Sequence, residues 1–535
     1  MAGVIYGPTP DGTVSAQDDD ALAVGLDPDT VLPRRIALWA ERDPGRPFLS
    51  EATGRAETFG DVEAAIRRWV TLLRTHGVQA GDRVISLLPS SIDAHLLWLA
   101  AGTLRAVEVP VNPELRGEFL RHALTDPGAR LVFARPESIG LPATVGRDDL
   151  EVVTVPRDEE MAKDVEPAKD IEWPGPLDTS CVIYTSGTTG PSKGVIVTWG
   201  QMSATIGRIP RSWLSGDDIV YCSAPMFHVT GRTPMISMAE LGGQVVFREK
   251  FSIQSFWDDI KKFGCTSTTA LAPLLLGAPE RPDDLENPLR VCFGGPSGPT
   301  NRRFGERFGL SMVSCYGSTE AGFPIVLRWP DPDGGCGVLR RGYQAKITDE
   351  DGRELPDGEP GELWIKPPAP PLVTLGYLNQ PELTARSLVD GWYRTGDSLI
   401  RWPDGHFEFV DRLRDTIRKN GENISSSALE TVVVTDPEVL ECVAIGVPND
   451  LTGQDILLAV IPRPEAQLDP AELFGRLLDR LPRYMHPAYI VVADAFPRTP
   501  NGKARKVGLL EQLDLEHAWR STVRAGSDLS RFQRG

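Results

Sequence analysis

The chain has 535 residues, with 56 basic and 74 acidic side chains, so its formal net charge is -18. This length predicts more than one domain, because a single hydrophobic core rarely extends beyond about 250–300 residues. The acidic balance argues against non-specific nucleic-acid binding, which needs a basic surface, and we expect no nucleic-acid partner.

The first 30 residues predict a flexible acidic leader, because they lack the basic and apolar regions of a secretion signal. The most apolar stretch, Leu96 to Leu104, is much shorter than the roughly 20 residues that a membrane helix needs. Seven cysteines occur singly, without a C-x-x-C pair, which favours free thiols in a reducing compartment. We therefore expect a cytoplasmic protein without a membrane segment.

Alternating strands and helices are predicted from about residue 80 onward. "RVISLLP", "SIDAHLLWLAAGTL" and "AVEVPV" (83–111) have the patterns of a strand, a helix and a second strand. The same order returns in "DIVYCSAP", the helical stretch near "PMISMAEL", "GGQVVF", "IQSFWDDIKKFG" and "STTALAP" (218–273). This alternation predicts two parallel sheets with helices on both faces.

The remaining part of the chain has two different patterns. Residues 343–366 contain period-2 strands separated by D-G and P-D-G turns, which predict a small antiparallel β-barrel. The charged stretch 411–415 then interrupts the apolar periodicity. The expected architecture is α/β: a large N-terminal domain (31–410) of two α/β sheet subdomains plus the barrel, a hinge (411–415) and a small α+β C-terminal domain (416–535).

The loop "YTSGTTGPSKG" (184–194) has the composition of a phosphate-binding loop. Backbone N–H groups of a glycine-rich turn can surround anionic oxygens, while hydroxyls and a lysine add donors and a cation. The spacing differs from a Walker A loop, and an isolated stretch of this kind is also typical of a mobile surface turn. The candidate nucleotide-binding residues here are Thr185, Ser186, Gly187, Thr188, Thr189, Gly190 and Lys193.

The order of several motifs resembles that of the adenylate-forming superfamily, which includes acyl- and aryl-CoA synthetases, peptide-synthetase adenylation domains and beetle luciferases. After the glycine loop follow "PMFH" (225–228), "GGPSGP" (294–299), "YGSTE" (316–320), "GWYRTGD" (391–397), "DRLRDTIRKNGENIS" (411–425) and "PRTPNGKARK" (497–506). The stretches "GCGVLRRGYQAKI" (335–347), which lacks the usual prolines, and "EKFSIQSFW" (249–257) look closest to the carnitine and crotonobetaine CoA-ligase branch.

This resemblance assigns roles to residues on the nucleotide side. Glu320 is expected to hold Mg²⁺ and Thr319 to donate to the α-phosphate, while Tyr316 would stack on adenine. Asp397 would accept the ribose hydroxyls and Arg412 would reach ribose or phosphate. Lys503 would bridge the carboxylate and the α-phosphate during adenylation. Further nucleotide contacts are expected from Gly294, Gly295, Pro296, Gly317 and Ser318.

The substrate pocket is expected at His228, Val229, Arg232, Gly295 and Gly317. Relatives that activate amino acids carry an Asp at the position of His228, so the resemblance disfavours an α-amino acid substrate. Arg232 lies four residues after His228, and we hypothesise that it pairs with a second polar or anionic group of the acid. The commoner alternative is an arginine on a helix surface.

The resemblance implies an ATP- and Mg²⁺-dependent acyl- or aryl-CoA ligase with two half-reactions. The C-terminal domain would be mobile and turn about Arg414, and Gly421 and Arg418 would line the tunnel for the thiol of CoA. Three alternatives stay open: transfer to a carrier protein, transfer to a nitrogen nucleophile (an amine, or nitrite in a diazotisation), and a regulatory protein that binds nucleotide without turnover. The expected partners are thus a small carboxylic acid, ATP and CoA, for a monomer or homodimer.

Overall fold

A computed structural model gives the structure of the protein for residues 26–157, 160–185, 192–206, 213–269, 275, 280–294, 299–326, 335–349, 351–412, 416–449, 451–463, 466–497, 506 and 509–521. Most of the predicted leader lies outside these residues. No helix among them is long and apolar enough to span a membrane.

The first α/β unit contains a six-stranded sheet in the order β6-β5-β3-β4-β7-β8, parallel except for β8. Its strands are β3 (Arg83–Leu87), β4 (Val107–Pro110), β5 (Leu131–Ala134), β6 (Glu151–Thr154), β7 (Thr179–Thr185) and β8 (Lys193–Thr198). Its helices are α3 (Ile92–Thr103), α4 (Gly117–Thr125) and the short α5 (Leu141–Thr144). Every residue of α3 is buried, which explains its mostly apolar sequence.

The second α/β unit is built on a parallel sheet in the order β13-β12-β11-β9-β10-β1, to which β2 adds antiparallel. Its strands are β1 (Pro47–Glu51), β2 (Ala56–Thr58), β9 (Ile219–Cys222), β10 (Gln244–Phe247), β11 (Ser267–Thr269), β12 (Val291–Gly294) and β13 (Ser311–Ser318). The helices near these strands along the chain are α1 (Leu32–Arg42), α2 (Phe59–Thr75), α6 (Trp199–Ile206), α7 (Val229–Leu241), α8 (Ile253–Phe263) and α9 (Pro299–Phe308). Both predicted strand-helix alternations are therefore confirmed.

The antiparallel region predicted near residues 343–366 continues directly from this second sheet through β13. It consists of β14 (Gly322–Val326), β15 (Gly337–Leu339), β16 (Gln344–Thr348), β17 (Pro360–Lys366), β18 (Leu388–Val389), β19 (Trp392–Arg401) and β20 (His406–Arg412), with α10 (Pro381–Ser387) before β18. Ile347 of β16 pairs with Leu363 of β17, and both side chains lie in its apolar core. The strand β13 thus belongs to two sheets.

The C-terminal region has a separate sheet and separate apolar cores. Its elements are β21 (Thr416–Lys419), β22 (Glu422–Ser425), α11 (Ser426–Val433), β23 (Val439–Asn449), β24 (Gly453–Pro462), α12 (Pro470–Leu478), β25 (Tyr489–Val492) and β26 (Trp519–Arg520). Phe119 of α4 packs against one of these cores, so the C-terminal region contacts the first α/β unit directly. The mixed composition agrees with the predicted small α+β unit.

Candidate active site

One large cavity of about 2660 Å³ lies between the N-terminal sheets and the C-terminal region. The ends of β7, β12 and β13 open into it, as do the start of α7 and the hairpin formed by β21 and β22. Open α/β sheets place their ligands at the carboxyl ends of strands, and this cavity lies there. It brings together most of the candidate residues that the structure describes.

The ends of the glycine loop lie at this cavity. Thr185 ends β7 and pairs in register with Lys193, which begins β8, and both line the cavity. The loop therefore closes a hairpin whose two strands fix its ends. Its candidate residues Ser186, Gly187, Thr188, Thr189 and Gly190 lie outside the described residues.

The motif "YGSTE" begins within β13 and continues past its end, and all five of its residues line the cavity. The hydroxyl of Tyr316 donates to Oδ2 of Asp397 at 2.8 Å. Asp397 in turn pairs in register with Arg412 on the neighbouring strand β20. The structure thus brings Tyr316 of β13 into contact with Asp397 of β19, and the neighbouring strand β20 carries Arg412.

Glu320 lies beside two further groups that line the cavity. The hydroxyl of Tyr377 donates to Oε1 of Glu320 at 3.1 Å. Burial, followed by the nearby Glu320 charge, raises the pKa of Tyr377, so this hydroxyl keeps its proton. Nζ of Lys193 lies 5.7 Å from the centroid of the Tyr377 ring. Tyr377 therefore links the phosphate-loop lysine to the expected metal ligand.

The donor set at Glu320 fits Mg²⁺ shared with phosphate oxygens. Within the described ranges, no group of three or more His, Cys, Asp or Glu side chains could hold a metal ion without other ligands. Mg²⁺ is usually bound through one or two carboxylates together with substrate phosphates. A single carboxylate beside the phosphate loop matches that preference.

Hydrogen bonds from α6 fix the turn that carries Glu320. Nε2 of Gln201 donates to the carbonyl oxygens of Thr319 and Glu320 at 2.8 and 3.0 Å. Gln201 is buried, so these bonds are shielded from water and fix the direction of the motif. Neither Gln201 nor Tyr377 was found from the sequence, because neither lies in a motif with a recognisable spacing.

The predicted substrate-pocket residues lie around the start of α7. His228 is the N-cap residue of this helix, and His228 and Val229 both line the cavity. Gly294, at the end of β12, and Gly317 line it as well. The candidates Gly295 and Pro296 lie outside the described residues.

The structure corrects the hypothesis that Arg232 pairs with the substrate. Arg232 is fully buried, and its Nη2 donates to Oε2 of the equally buried Glu108 at 2.7 Å. Its Nε donates to the carbonyl oxygen of Met226, and its guanidinium lies 4.4 Å from the Trp98 ring centroid. The side chain therefore points into the core between the two α/β units and does not line the cavity.

The hairpin of β21 and β22 brings the C-terminal region to the cavity beside His228. Its turn is formed by Asn420 and Gly421, with φ angles of +54° and +81°. Positive φ at two successive residues favours glycine at one of them. Arg418 and Gly421 both line the cavity, as the tunnel assignment requires.

An ion pair joins this hairpin to the start of α7. Nε2 of His228 lies 2.8 Å from Oε2 of Glu422. Burial disfavours the charged imidazole, but the facing carboxylate and its hydrogen bond outweigh burial and raise the pKa of His228. The sequence predicted His228 as a pocket residue but gave no signal for its partner 194 residues away.

Cys315 lies at the cavity but is a poor nucleophile. Cys315 lines it, but burial raises the pKa of this thiol to about 12. The thiol is therefore protonated near neutral pH. Arg414 of the predicted hinge and Lys503 of the predicted C-terminal domain lie outside the described residues.

Two family models match the chain. A model of AMP-binding enzymes matches residues 36–378, and a model of the AMP-binding enzyme C-terminal domain matches residues 428–503.

Similar proteins include CoA ligases and an amide-forming enzyme. A sulfoacetate–CoA ligase of Cupriavidus necator is 30% identical over 501 residues, covering 89% of this chain and 96% of that protein. A crotonobetaine/carnitine–CoA ligase of Salmonella paratyphi B is 27% identical, covering 86% and 94%. The solved structure of the amide bond synthetase McbA from Marinactinospora thermotolerans superposes with a TM-score of 0.77 at 26% identity, covering 89% and 98%.

Proposed function

Since the chain belongs to the AMP-binding enzyme family, we propose that it activates a carboxylic acid as its acyl-AMP and then transfers the acyl group to CoA. The observation that carries the proposal is the single cavity in which Lys193, Glu320 and Asp397 lie with the hairpin of β21 and β22. The nucleotide side supports the first half-reaction, and the hairpin supports the second.

In the first half-reaction, a carboxylate oxygen of the acid attacks the α-phosphorus of ATP. The bond from this phosphorus to the bridging oxygen breaks, and pyrophosphate leaves. Lys193 and the glycine loop bind the phosphates, Asp397 and Arg412 hold the ribose, and Lys503 offsets the charge of the two reacting anions. Glu320 would hold Mg²⁺, which supplies neutralising charge to the phosphate oxygens when bound.

In the second half-reaction, the sulfur of the CoA thiolate attacks the acyl carbonyl carbon. The bond from this carbon to the phosphate oxygen breaks, AMP leaves, and the thiol proton passes to solvent. Gly421 and Arg418 border the path of the thiol, and the contact between His228 and Glu422 holds the hairpin beside the acyl carbon. We propose that this arrangement represents the orientation for thioester formation and that rotation at Arg414 exchanges it for the adenylating one.

A nitrogen nucleophile as acceptor is the second candidate. The similarity to McbA favours this candidate, because that protein, which is 26% identical to this chain, is named an amide bond synthetase. The adenylation residues serve both acceptors equally, so the two candidates differ only in the second half-reaction.

A cytoplasmic location agrees with the state of the cysteines. Cys181, Cys222, Cys265, Cys292, Cys315, Cys336 and Cys442 are all unpaired. Unpaired thiols persist in a reducing compartment.

The test separates the two half-reactions. ATP–pyrophosphate exchange is measured against a panel of carboxylic acids without CoA, and the best acid is used to prepare the acyl-AMP complex. This complex is then mixed with CoA, an amine, nitrite or buffer, and AMP release is followed. Acceleration by CoA is expected. If AMP release with CoA is no faster than with buffer, the proposed acceptor is instead the nitrogen compound that accelerates release. If no acid supports pyrophosphate exchange, adenylation is refuted.

A further inference from the structure

The helix α4 lies between the first α/β unit and the C-terminal region. Its residues Leu120 and Leu124 are buried in the same apolar core as Val182 of β7. Its residue Phe119 packs instead against an apolar core of the C-terminal region. This helix of nine residues therefore contacts both the sheet that carries the glycine loop and the region that is proposed to rotate.

His122 of this helix reaches the end of the glycine loop. Its Nε2 lies 2.8 Å from the carbonyl oxygen of Ser192, which is 70 residues away in the chain. A carbonyl oxygen can only accept a hydrogen bond, so Nε2 of His122 carries a proton and is the donor. Ser192 directly precedes Lys193, the first residue of β8. The imidazole therefore holds the backbone next to the phosphate-loop lysine.

The other strand of the hairpin is held by the same helix. The hydroxyl of Tyr184, in β7, donates to Oδ2 of Asp126 at 2.6 Å, and Asp126 is the C-cap residue of α4. Burial, followed by this hydrogen bond, raises the pKa of Tyr184, so the hydroxyl keeps its proton. The rings of Tyr184 and His122 meet edge to face, with centroids 5.7 Å apart. Tyr184 pairs in register with Gly194, so α4 holds both strands at the level of Lys193.

His122 does not line the cavity, whereas Ser192 and Lys193 do. An effect of His122 on a bound ligand must therefore pass through the residues that it contacts, and the Ser192 carbonyl is the contact nearest to Lys193 along the chain. The attraction between a cation and an anion weakens with distance. The placement of the Lys193 backbone thus determines how closely its ammonium group can meet an anionic ligand.

We infer that His122 is a positioning residue of adenylation, which fixes Lys193 against the phosphates of ATP through the carbonyl of Ser192. This inference rests on the proposed function, in which Lys193 and the glycine loop bind the phosphates that leave as pyrophosphate. Acyl-AMP has lost these phosphates. Transfer from acyl-AMP to the acceptor should therefore not depend on His122, and the dependence should appear in the KM for ATP.

The first experiment uses three substitutions that differ in the donor they present to Ser192. His122→Leu has no donor, and the amide nitrogen of His122→Asn reaches only as far as Nδ1 of the imidazole. The amide nitrogen of His122→Gln can take the place of Nε2 and donate. The KM for ATP in pyrophosphate exchange should rise about 5- to 10-fold in the first two variants and stay within about 2-fold of the wild type in His122→Gln.

The second experiment follows AMP release from supplied acyl-AMP in the same variants, with the acceptor that accelerates release in the wild type. All three variants should stay within about 2-fold of the wild type, because this step does not use the departing phosphates. Arg121→Leu is the matched control on α4. Arg121 is exposed, pairs with Glu118 at the surface and does not line the cavity, so this variant should leave both measurements unchanged.

An unchanged KM for ATP in His122→Leu and His122→Asn would overturn the inference while adenylation stands. If His122→Gln or Arg121→Leu raises the KM as much as His122→Leu does, the effect comes from the packing of α4, and the hydrogen bond to Ser192 has no positioning role. An equal loss in AMP release from acyl-AMP would also contradict the inference. If the wild type supports no exchange with any acid, the proposed function fails and this inference fails with it.

Discussion

His228 and Glu422 lie 194 residues apart in the chain, yet their side chains meet at 2.8 Å across the cavity. One belongs to the first turn of α7 and the other to the hairpin of β21 and β22. The pair forms in the orientation seen here, and the proposed rotation of the C-terminal region would separate the two side chains. Its loss should therefore affect one half-reaction more than the other.

Glu422→Gln should slow acceptor-dependent AMP release about 10-fold and leave pyrophosphate exchange nearly unchanged. The neutral amide loses the charge-assisted bond to His228, which is of the kind that contributes about 1.5–3 kcal/mol. Single-turnover AMP release from the acyl-AMP complex measures the effect. Glu408→Gln is the control, since Glu408 is exposed and outside the cavity. An equal loss in both half-reactions would contradict an orientation-specific contact.

The same pair predicts a pH dependence. Because the folded pKa of His228 is raised above its ordinary value near 6.5, the contact is fully charged below that value and is lost as pH rises through the folded pKa. Acceptor-dependent AMP release should therefore fall as pH rises through the raised pKa of His228, at a pH above 6.5. In Glu422→Gln this decline should move to lower pH, and an unmoved profile would assign the decline to another group.

Tyr377→Phe should raise the Mg²⁺ concentration needed for half-maximal pyrophosphate exchange by about 3- to 10-fold. The variant removes the hydrogen bond that orients the Glu320 carboxylate and is otherwise isosteric. Tyr343→Phe provides the control, because Tyr343 is equally buried but does not line the cavity. An unchanged Mg²⁺ requirement would show that the hydroxyl has no part in metal binding.

Arg232→Met should destabilise the fold by about 3–5 kcal/mol, because it leaves the Glu108 carboxylate buried without its partner. Urea unfolding measures the loss, and the double variant with Glu108→Gln should recover part of it. Arg353→Met serves as the control, since Arg353 is exposed and its ion pairs lie at the surface. A change in the KM for the acid alone, without a loss of stability, would instead place Arg232 in contact with the substrate.

Lys503→Ala should abolish acyl-AMP formation, with a loss of about 10²- to 10³-fold, and spare transfer from supplied acyl-AMP. Lys506→Ala is the contrast, because Nζ of Lys506 lies 2.7 Å from Oε1 of Glu430 and 2.6 Å from the hydroxyl of Ser426 within the C-terminal region. The two half-reactions are measured separately. Equal losses in both for Lys503→Ala would remove its assigned role.

The sequence predicted the features whose physical causes are local. The alternation of β3, α3 and β4 follows from apolar periodicity, and the motif order placed Tyr316, Glu320 and Asp397 in one cavity. Long-range relationships left no local signal. The pairing of β1 with β10 joins segments almost 200 residues apart, and the ion pair of Arg232 with Glu108 depends on how the two α/β units pack.

The strand β13 pairs with the parallel strand β12 on one edge and with the antiparallel strand β14 on the other. Side chains alternate across a strand, so Val313 and Cys315 pack on the side of Trp213, while Tyr316 packs in the antiparallel core and contacts Asp397. Under the proposed function, this strand separates the acid from the nucleotide. We therefore expect substitutions at 313 and 315 to alter acid selectivity with little effect on ATP affinity, so that new substrates become accessible in single steps.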